Sequence, residues 1–279
     1  MKPAVVMQTD FGSGGGCAMR GVIKTLDPEV NVFDANHTID IFNVRQASRS
    51  LTGLVAYWPS GTVFVSVVDP GVGTSRRACC ALLKNGSYVI TPDNGSLTIL
   101  LDNPGIEAVR VIDETRNRLR GTEKVSIFHG RDLFAYCAGK LASGIIDFEG
   151  VGEAYPVSEI VRYREYGYET SPGRVKGYAA DMMRNFGNLE SSIPIEAAEQ
   201  AGFQPGEQVI LTIMHGDTCV FHQPIAYRLS FGWVAEGEDV VYNSSDGVIG
   251  IGTNRGNFVN KYGIGFGEDW QIIMEKESV

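Results

Sequence analysis

Three residues of this chain, Asp69, Arg76 and His129, are of the types and spacing needed to hold and orient a water molecule. Asp69 closes the β-branched, apolar run Val63–Val68; Pro70, Gly71 and Gly73 then turn the chain tightly before Arg76 and Arg77. A charged side chain at the carboxyl end of a buried strand, held by a Gly/Pro loop, is how open α/β sheets present chemistry. The competing possibility is that Asp69 only bonds its own turn. Two further stretches favour chemistry: Pro92-Asp93-Asn94-Gly95 and His129-Gly130-Arg131-Asp132 have the same form, and Thr9-Asp10-Phe11-Gly12 closes the first strand. Asp10, Asp69, Asp93-Asn94 and His129 are all expected at strand ends, which a doubly wound sheet gathers on one edge. There the aspartate orients the water or the imidazole, the histidine titrates near neutrality, and the arginine fixes the aspartate. Asp69 and His129 are then both placed to accept the protons of the water. Arg131 and Asp132 read as a structural ion pair or helix cap, and His37, His215 and His222 as structural histidines.

The positioning elements follow from the pattern. Strands are expected at Ala4–Met7, Asn31–Asp34, Val63–Val68, Ala78–Leu83, Ser87–Thr91 and Val109–Ile112, with Asn85-Gly86 as a hairpin turn. Helices are expected over Ala18–Leu26, Gln46–Trp58 and Leu133–Ser143; in the second, Leu51, Leu54, Val55 and Trp58 share one face. Alternating strand and helix imply an α/β domain with a mostly parallel sheet. After about Gly173 short strands and Gly/Asn/Asp turns dominate, giving a smaller, mostly antiparallel β domain of barrel type. The boundary is set at 1–165 and 166–279. Ser13-Gly14-Gly15-Gly16 lacks the third glycine of a dinucleotide loop and the lysine of a phosphate loop.

Composition excludes other classes. The chain has 279 residues, 43% hydrophobic and 20% charged, with a net charge of −9. An acidic chain without a basic run is poorly suited to nucleic acid or an anionic membrane. Five cysteines, odd in number and without a CxxC pair, argue for reduced thiols and against a disulfide framework or a zinc site. No signal-peptide core and no transmembrane-length run is found, and a cytoplasmic location is expected.

TDFG, VVDPGVGTSRR, TPDNGSLT and FHGRDLF, in this order and with DMMRNFGN beyond them, resemble the S-adenosyl-L-methionine hydroxide adenosyltransferase family, the hydrolytic relatives of the adenosyl-fluoride and adenosyl-chloride synthases. The resemblance implies a larger N-terminal α/β domain and a smaller C-terminal β-barrel. It also implies a homotrimer whose sites lie between one subunit's first domain and its neighbour's second. Water would attack C5′ of S-adenosylmethionine and displace methionine, without metal or other cofactor. By the same resemblance Asp69, Arg76 and His129 form the water-orienting triad, with Arg77 the alternative if the register shifts by one. Asp10 would take the ribose hydroxyls and Phe42 would pack on the ribose. Asp181 would meet the methionine ammonium, Phe186 and Asn188 would frame the adenine, Ser245 would bond the methionine carboxylate, and backbone at Asn254 would complete the adenine pocket. Three departures stand out. The loop after TDFG is two residues shorter, with glycines where the family has an acid. Two residues are added between Asp181 and Phe186, and Asp246 stands where halogenating relatives have a basic residue. A hydrolase is the first expectation; a halide-using synthase and a non-catalytic binding trimer are the alternatives.

Overall fold

The computed structural model describes residues 2–277. These form two compact units, one ending at Tyr163 and the other starting at Arg164.

The first unit is built on a seven-stranded sheet: β1 (Val5–Thr9), β2 (Val32–Asn36), β3 (Val63–Val67), β4 (Ala78–Leu83), β5 (Tyr88–Pro92), β6 (Ile106–Val111) and β7 (Ala154–Tyr155), in the order β2-β1-β3-β5-β4-β6-β7. β2, β1, β3 and β5 run parallel, whereas β4, β6 and β7 add antiparallel pairings. The antiparallel half arises at Asn85-Gly86, where the β4–β5 hairpin reverses the chain and Gly86 takes a φ of 82°. Helices α1 (Gly16–Leu26), α2 (Val44–Tyr57), α3 (Glu114–Asn117) and α4 (Tyr136–Ala142) complete the unit.

Side chains alternate across a strand, so β1 and β3 each feed two cores. Val5, Met7, Val63 and Val65 meet Met19, Ile23 and Ala138 of α1 and α4 on one face. Val6 and Phe64 meet Leu51 and Val55 of α2 on the other. Burial on both faces is why these strands read as continuous apolar runs. Thr9 of β1 is in register with Val67 of β3, so Asp10 and Asp69 leave the same sheet edge side by side. His129 arrives differently from the expectation. Ser126–Phe128 forms no strand; His129 caps a six-residue π-helical stretch, Gly130–Ala135, that runs into α4.

The second unit contains β8 (Glu169–Ser171), β9 (Arg174–Met183), β10 (Asn188–Pro194), β11 (Gln208–His215), β12 (Thr218–Arg228), β13 (Asp239–Asn243), β14 (Val248–Thr253) and β15 (Trp270–Lys276), with short helices α5 (Ile195–Gln200) and α6 (Phe258–Tyr262). β9 and β10 pair with each other, which closes β9-β10-β14-β13-β12-β11-β15 into a seven-stranded barrel with β8 added on β9. All barrel pairings are antiparallel except β12–β13. Val175, Leu189, Leu211, Phe221, Val241 and Met274 are among the residues of its core. Closure leaves the barrel strands without free edges.

Candidate active site

The β3–β4 connection brings Asp69 and Arg76 together. Arg76 Nε donates to both carboxylate oxygens of Asp69 at 3.0 Å, and Nη2 donates to Oδ2 as well. The same Nη2 lies 3.0 Å from His129 Nδ1. Both members of the pair are nearly inaccessible, with side chains 10% and 5% exposed. The guanidinium also faces the Phe134 ring at 5.3 Å. Charge-assisted, multiply bonded contacts of this kind fix geometry as well as charge.

Arg77 points elsewhere. It donates to Asp93 Oδ2 at 2.9 Å and to Glu159 Oε2 at 3.0 Å, and it lies over the Tyr155 ring at 4.2 Å. Asp93 is filled in turn by Tyr155 Oη and the Val161 N–H, at 3.0 and 2.8 Å. Asp93 is therefore bound into structure instead of joining Asp69 at the cleft, and Asn94 donates to the Val68 carbonyl at 2.9 Å. Arg76, not Arg77, is the arginine that touches Asp69 and His129.

A cleft of about 250 Å³ has Asp10, Phe42, Val67, Asp69, Ile127 and His129 among its lining residues. Its mouth is apolar: Ile41, Phe42 and Ile127 are 72%, 63% and 81% exposed. Asp10 Oδ2 accepts the Phe42 N–H at 2.9 Å. Phe42 has a φ of 64°, a left-handed conformation that costs a non-glycine residue about 1–3 kcal/mol and gathers at functional sites. The turn is braced from within. Thr9 Oγ1 accepts the Phe11 N–H at 3.1 Å and bonds His37 Nδ1 at 2.8 Å, while His37 Nε2 meets Asp34 Oδ1 at 3.1 Å. His37 is thus structural, as its sequence context suggests, and burial pushes its pKa below the ordinary imidazole value. Gly130 is required by close approach, since a Cβ there would lie 2.7 Å from the Phe11 ring, which in turn packs edge-on to Phe128.

His129 is buried, and burial followed by the neighbouring Arg76 guanidinium lowers its pKa. Its other ring nitrogen meets a residue with no sequence signal. Arg118 Nη1 lies 3.4 Å from Nε2, although in the sequence Glu114 and Arg118 resemble an ordinary i,i+4 surface pair. The Arg131–Asp132 contact is an ion pair at 2.6 Å with Asp132 fully buried.

The remaining five expected residues belong to the second unit. Asn188 is buried and donates from Nδ2 to Tyr242 Oη at 3.1 Å. Phe186 is exposed in the β9–β10 turn, where the Gly187 carbonyl accepts the Val259 N–H at 3.1 Å. Asp181 stands opposite Glu190 in the β9–β10 pairing, and its Oδ1 accepts the Met182 N–H. Ser245 is exposed in the β13–β14 turn; its neighbour Ser244 is buried and donates to Glu190 Oε1 at 2.6 Å. The Asn254 backbone is engaged at both ends, its N–H by Glu238 and its carbonyl by Gly237, and its side chain donates to the Val234 carbonyl. Neither Glu190 nor Ser244 carries a distinguishing sequence signal. Among the described residues no cluster of His, Cys, Asp and Glu is arranged to hold a metal ion, and no helix is long and apolar enough to cross a membrane.

Two family models match the chain: the SAM hydroxide adenosyltransferase N-terminal domain over residues 5–152 and the corresponding C-terminal domain over residues 182–271. An (R)-S-adenosyl-L-methionine hydrolase from Salinispora tropica is 32% identical over 276 residues, covering 97% of both chains. A hydrolase of the same name from Thermus thermophilus is 32% identical, covering 92% of this chain and 94% of the relative. A fluorinase from Actinopolyspora mzabensis is 27% identical, covering 94% of each. The crystal structure of a conserved protein from Thermotoga maritima superposes with a TM-score of 0.84 at 28% identity, over 98% of this chain and all of the other.

Proposed function

The chain belongs to the SAM hydroxide adenosyltransferase family, and from that membership we propose that it hydrolyses S-adenosyl-L-methionine to adenosine and L-methionine. The observation that carries the reading is the buried Asp69–Arg76–His129 assembly facing a small cleft, with Asp10 and Phe42 on the same lining. Water attacks C5′, the C5′–O bond forms, and the C5′–S bond breaks with its electron pair going to sulfur. The remaining proton of the water leaves to solvent. A sulfonium is already a good leaving group, so neither a general acid nor a metal or other cofactor is needed. The task is to hold water in line and exclude it elsewhere, which is catalysis by positioning and fixed electrostatics. Asp10 takes the ribose hydroxyls and Phe42 packs on the sugar. Asn188 and Phe186 frame the adenine, with backbone at Asn254 beside them, while Asp181 and Ser245 hold the methionine tail. These residues divide between the two units, and the working form is a cytoplasmic homotrimer in which neighbouring subunits complete each site. The hydrolases among the relatives are named for the (R) compound, and the same form is the proposed substrate.

Fluorinases among the relatives make halide use the second reading. One incubation separates them: protein with each sulfonium epimer, with and without chloride or fluoride, and chromatography of the nucleosides. Adenosine alone supports hydrolysis. A 5′-halo-5′-deoxyadenosine product would establish the second reading, and no turnover would leave a binding protein.

A further inference from the structure

We propose that Arg118 is a positioning residue of this site: fixed at the edge of the His129 ring opposite Arg76, its charge keeps the ring neutral, so that the ring holds Arg76 in place and Asp69 receives the proton of the water.

A neutral imidazole offers one acceptor nitrogen, and a guanidinium offers only donors. Arg76 Nη2 stands 3.0 Å from Nδ1 and Arg118 Nη1 stands 3.4 Å from Nε2. The shorter contact assigns the lone pair to Nδ1. Arg118 is then a fixed positive charge at the opposite edge of the ring. An imidazolium would place a third cation between the two. Arg118 is not a mobile surface side chain: it is 8% exposed, donates to Glu114 Oε2 at 2.6 Å and to the Thr122 carbonyl at 3.2 Å, and donates to the Val125 carbonyl as well. Those carbonyls belong to the loop that leads to Ile127 and His129. The loop also rests on the catalytic turn, because a Cβ at Gly73 would lie 2.8 Å from the Ser126 carbonyl and Gly73 has a φ of 76°. The charged groups acting on the ring are Arg76 and Asp69 from the β3–β4 connection, and Glu114 and Arg118 from α3 and its C-terminal cap. Burial and the two arginines disfavour the charged ring; Glu114 and Asp69 favour it.

In the reaction one proton of the attacking water passes to Asp69 and then to solvent as C5′–O forms and C5′–S breaks. This assignment rests on the proposed hydrolysis, but the titration of the ring does not, so the two can fail separately. The test follows the His129 ring nitrogens by ¹⁵N NMR from pH 8 to pH 5 in the full chain, beside the pH profile of kcat. Wild type should keep a neutral ring protonated on Nε2 down to lower pH than a free histidine. Arg118→Met should let the ring take up its proton at higher pH and move the acid limb of kcat the same way, with KM little changed. Arg118→Lys, which keeps a charge beside the ring, should return both toward wild type. Glu114→Gln should move the titration the opposite way, to lower pH. An unchanged His129 titration in folded Arg118→Met overturns the proposal, as does a shift of the same sign in Arg118→Met and Glu114→Gln. If Arg118→Met does not fold, an unchanged titration in Glu114→Gln overturns it instead.

Discussion

Replacing Asp69 by asparagine isolates the charge of the carboxylate from its shape. The amide keeps one acceptor for Arg76 but loses the ion pair, whose Nε–O distances are 3.0 Å and whose partners are almost fully enclosed. During attack, positive charge passes from sulfur to the entering oxygen. A carboxylate oxygen about 3 Å from that water and about 7 Å from sulfur gains roughly 3 kcal/mol at an effective dielectric of about 20. Three kcal/mol is a little over two powers of ten in rate, at about 1.4 kcal/mol per decade. Breaking a buried pair by removing one partner costs about 3–5 kcal/mol of stability, and the retained hydrogen bond places Asp69→Asn at or below the low end. The assay is initial-rate adenosine formation by chromatography, with a melting curve of the same sample. Expected are a kcat lower by about two powers of ten, a KM within a few-fold of wild type, and a protein still folded at the assay temperature. A folded Asp69→Asn protein that loses less than about tenfold in kcat would refute the idea that the carboxylate stabilises the entering oxygen.

The proposed ribose role of Asp10 predicts that 2′-deoxyadenosine binds more weakly than adenosine to wild type by about 1.5–3 kcal/mol, one charge-assisted bond, and that Asp10→Asn removes most of that difference in calorimetric titration. High chloride should leave adenosine as the sole nucleoside, because a halide beside Asp69 at about 4 Å and an effective dielectric of about 20 is repelled by roughly 4 kcal/mol; chromatography in concentrated chloride checks it. Mixed trimers of Asp10→Ala and Asn188→Ala chains should regain activity if each site draws on two subunits, and demonstrably mixed trimers that stay inactive would count against sharing. His37 and His129 both have folded-state pKa values lowered by burial. The unfolded chain binds more protons below the ordinary value of 6.5, so stability is fullest above that pH and declines as pH falls through it; denaturant midpoints measured from pH 8 to 5 should drop on the acid side.

Much of this arrangement was legible in residue order. Two-sided burial made β1 and β3 continuous apolar runs, and Asn85-Gly86 marked its hairpin, because both signals are local. That Asp69 would meet one of the two arginines was legible because the Gly/Pro turn confines them to one short connection; which of the two was settled only by where each side chain points. What escaped was set by distant packing. Asp93 stands at a strand end like Asp69, yet Tyr155 and the Val161 N–H, some sixty residues on, donate to it and draw it into structure, and Glu159 holds the arginine that it shares. His129 was expected after a strand, but the chain before it is held by Arg118 bonding loop carbonyls, which leaves no mark in the residue pattern. Ser244 and Ser245 are identical neighbours in the sequence, yet Ser244 is buried against Glu190 and Ser245 is exposed.

The divergence of Arg76 and Arg77 has a consequence for what evolution and mutagenesis can alter. Between Asp69 and the first arginine lie the six residues from Pro70 to Ser75, and they work as a spacer gauge. Removing one would deliver the second arginine to Asp69 and leave Asp93, Tyr155 and Glu159 without their cation; adding one would offer Asp69 and His129 a serine in place of a guanidinium. Two clusters, one facing the cleft and one locking the segment around residue 160, are thereby indexed by a single loop. A residue exchange that keeps the course of the turn leaves the index intact, whereas a change in its length shifts both arginines at once.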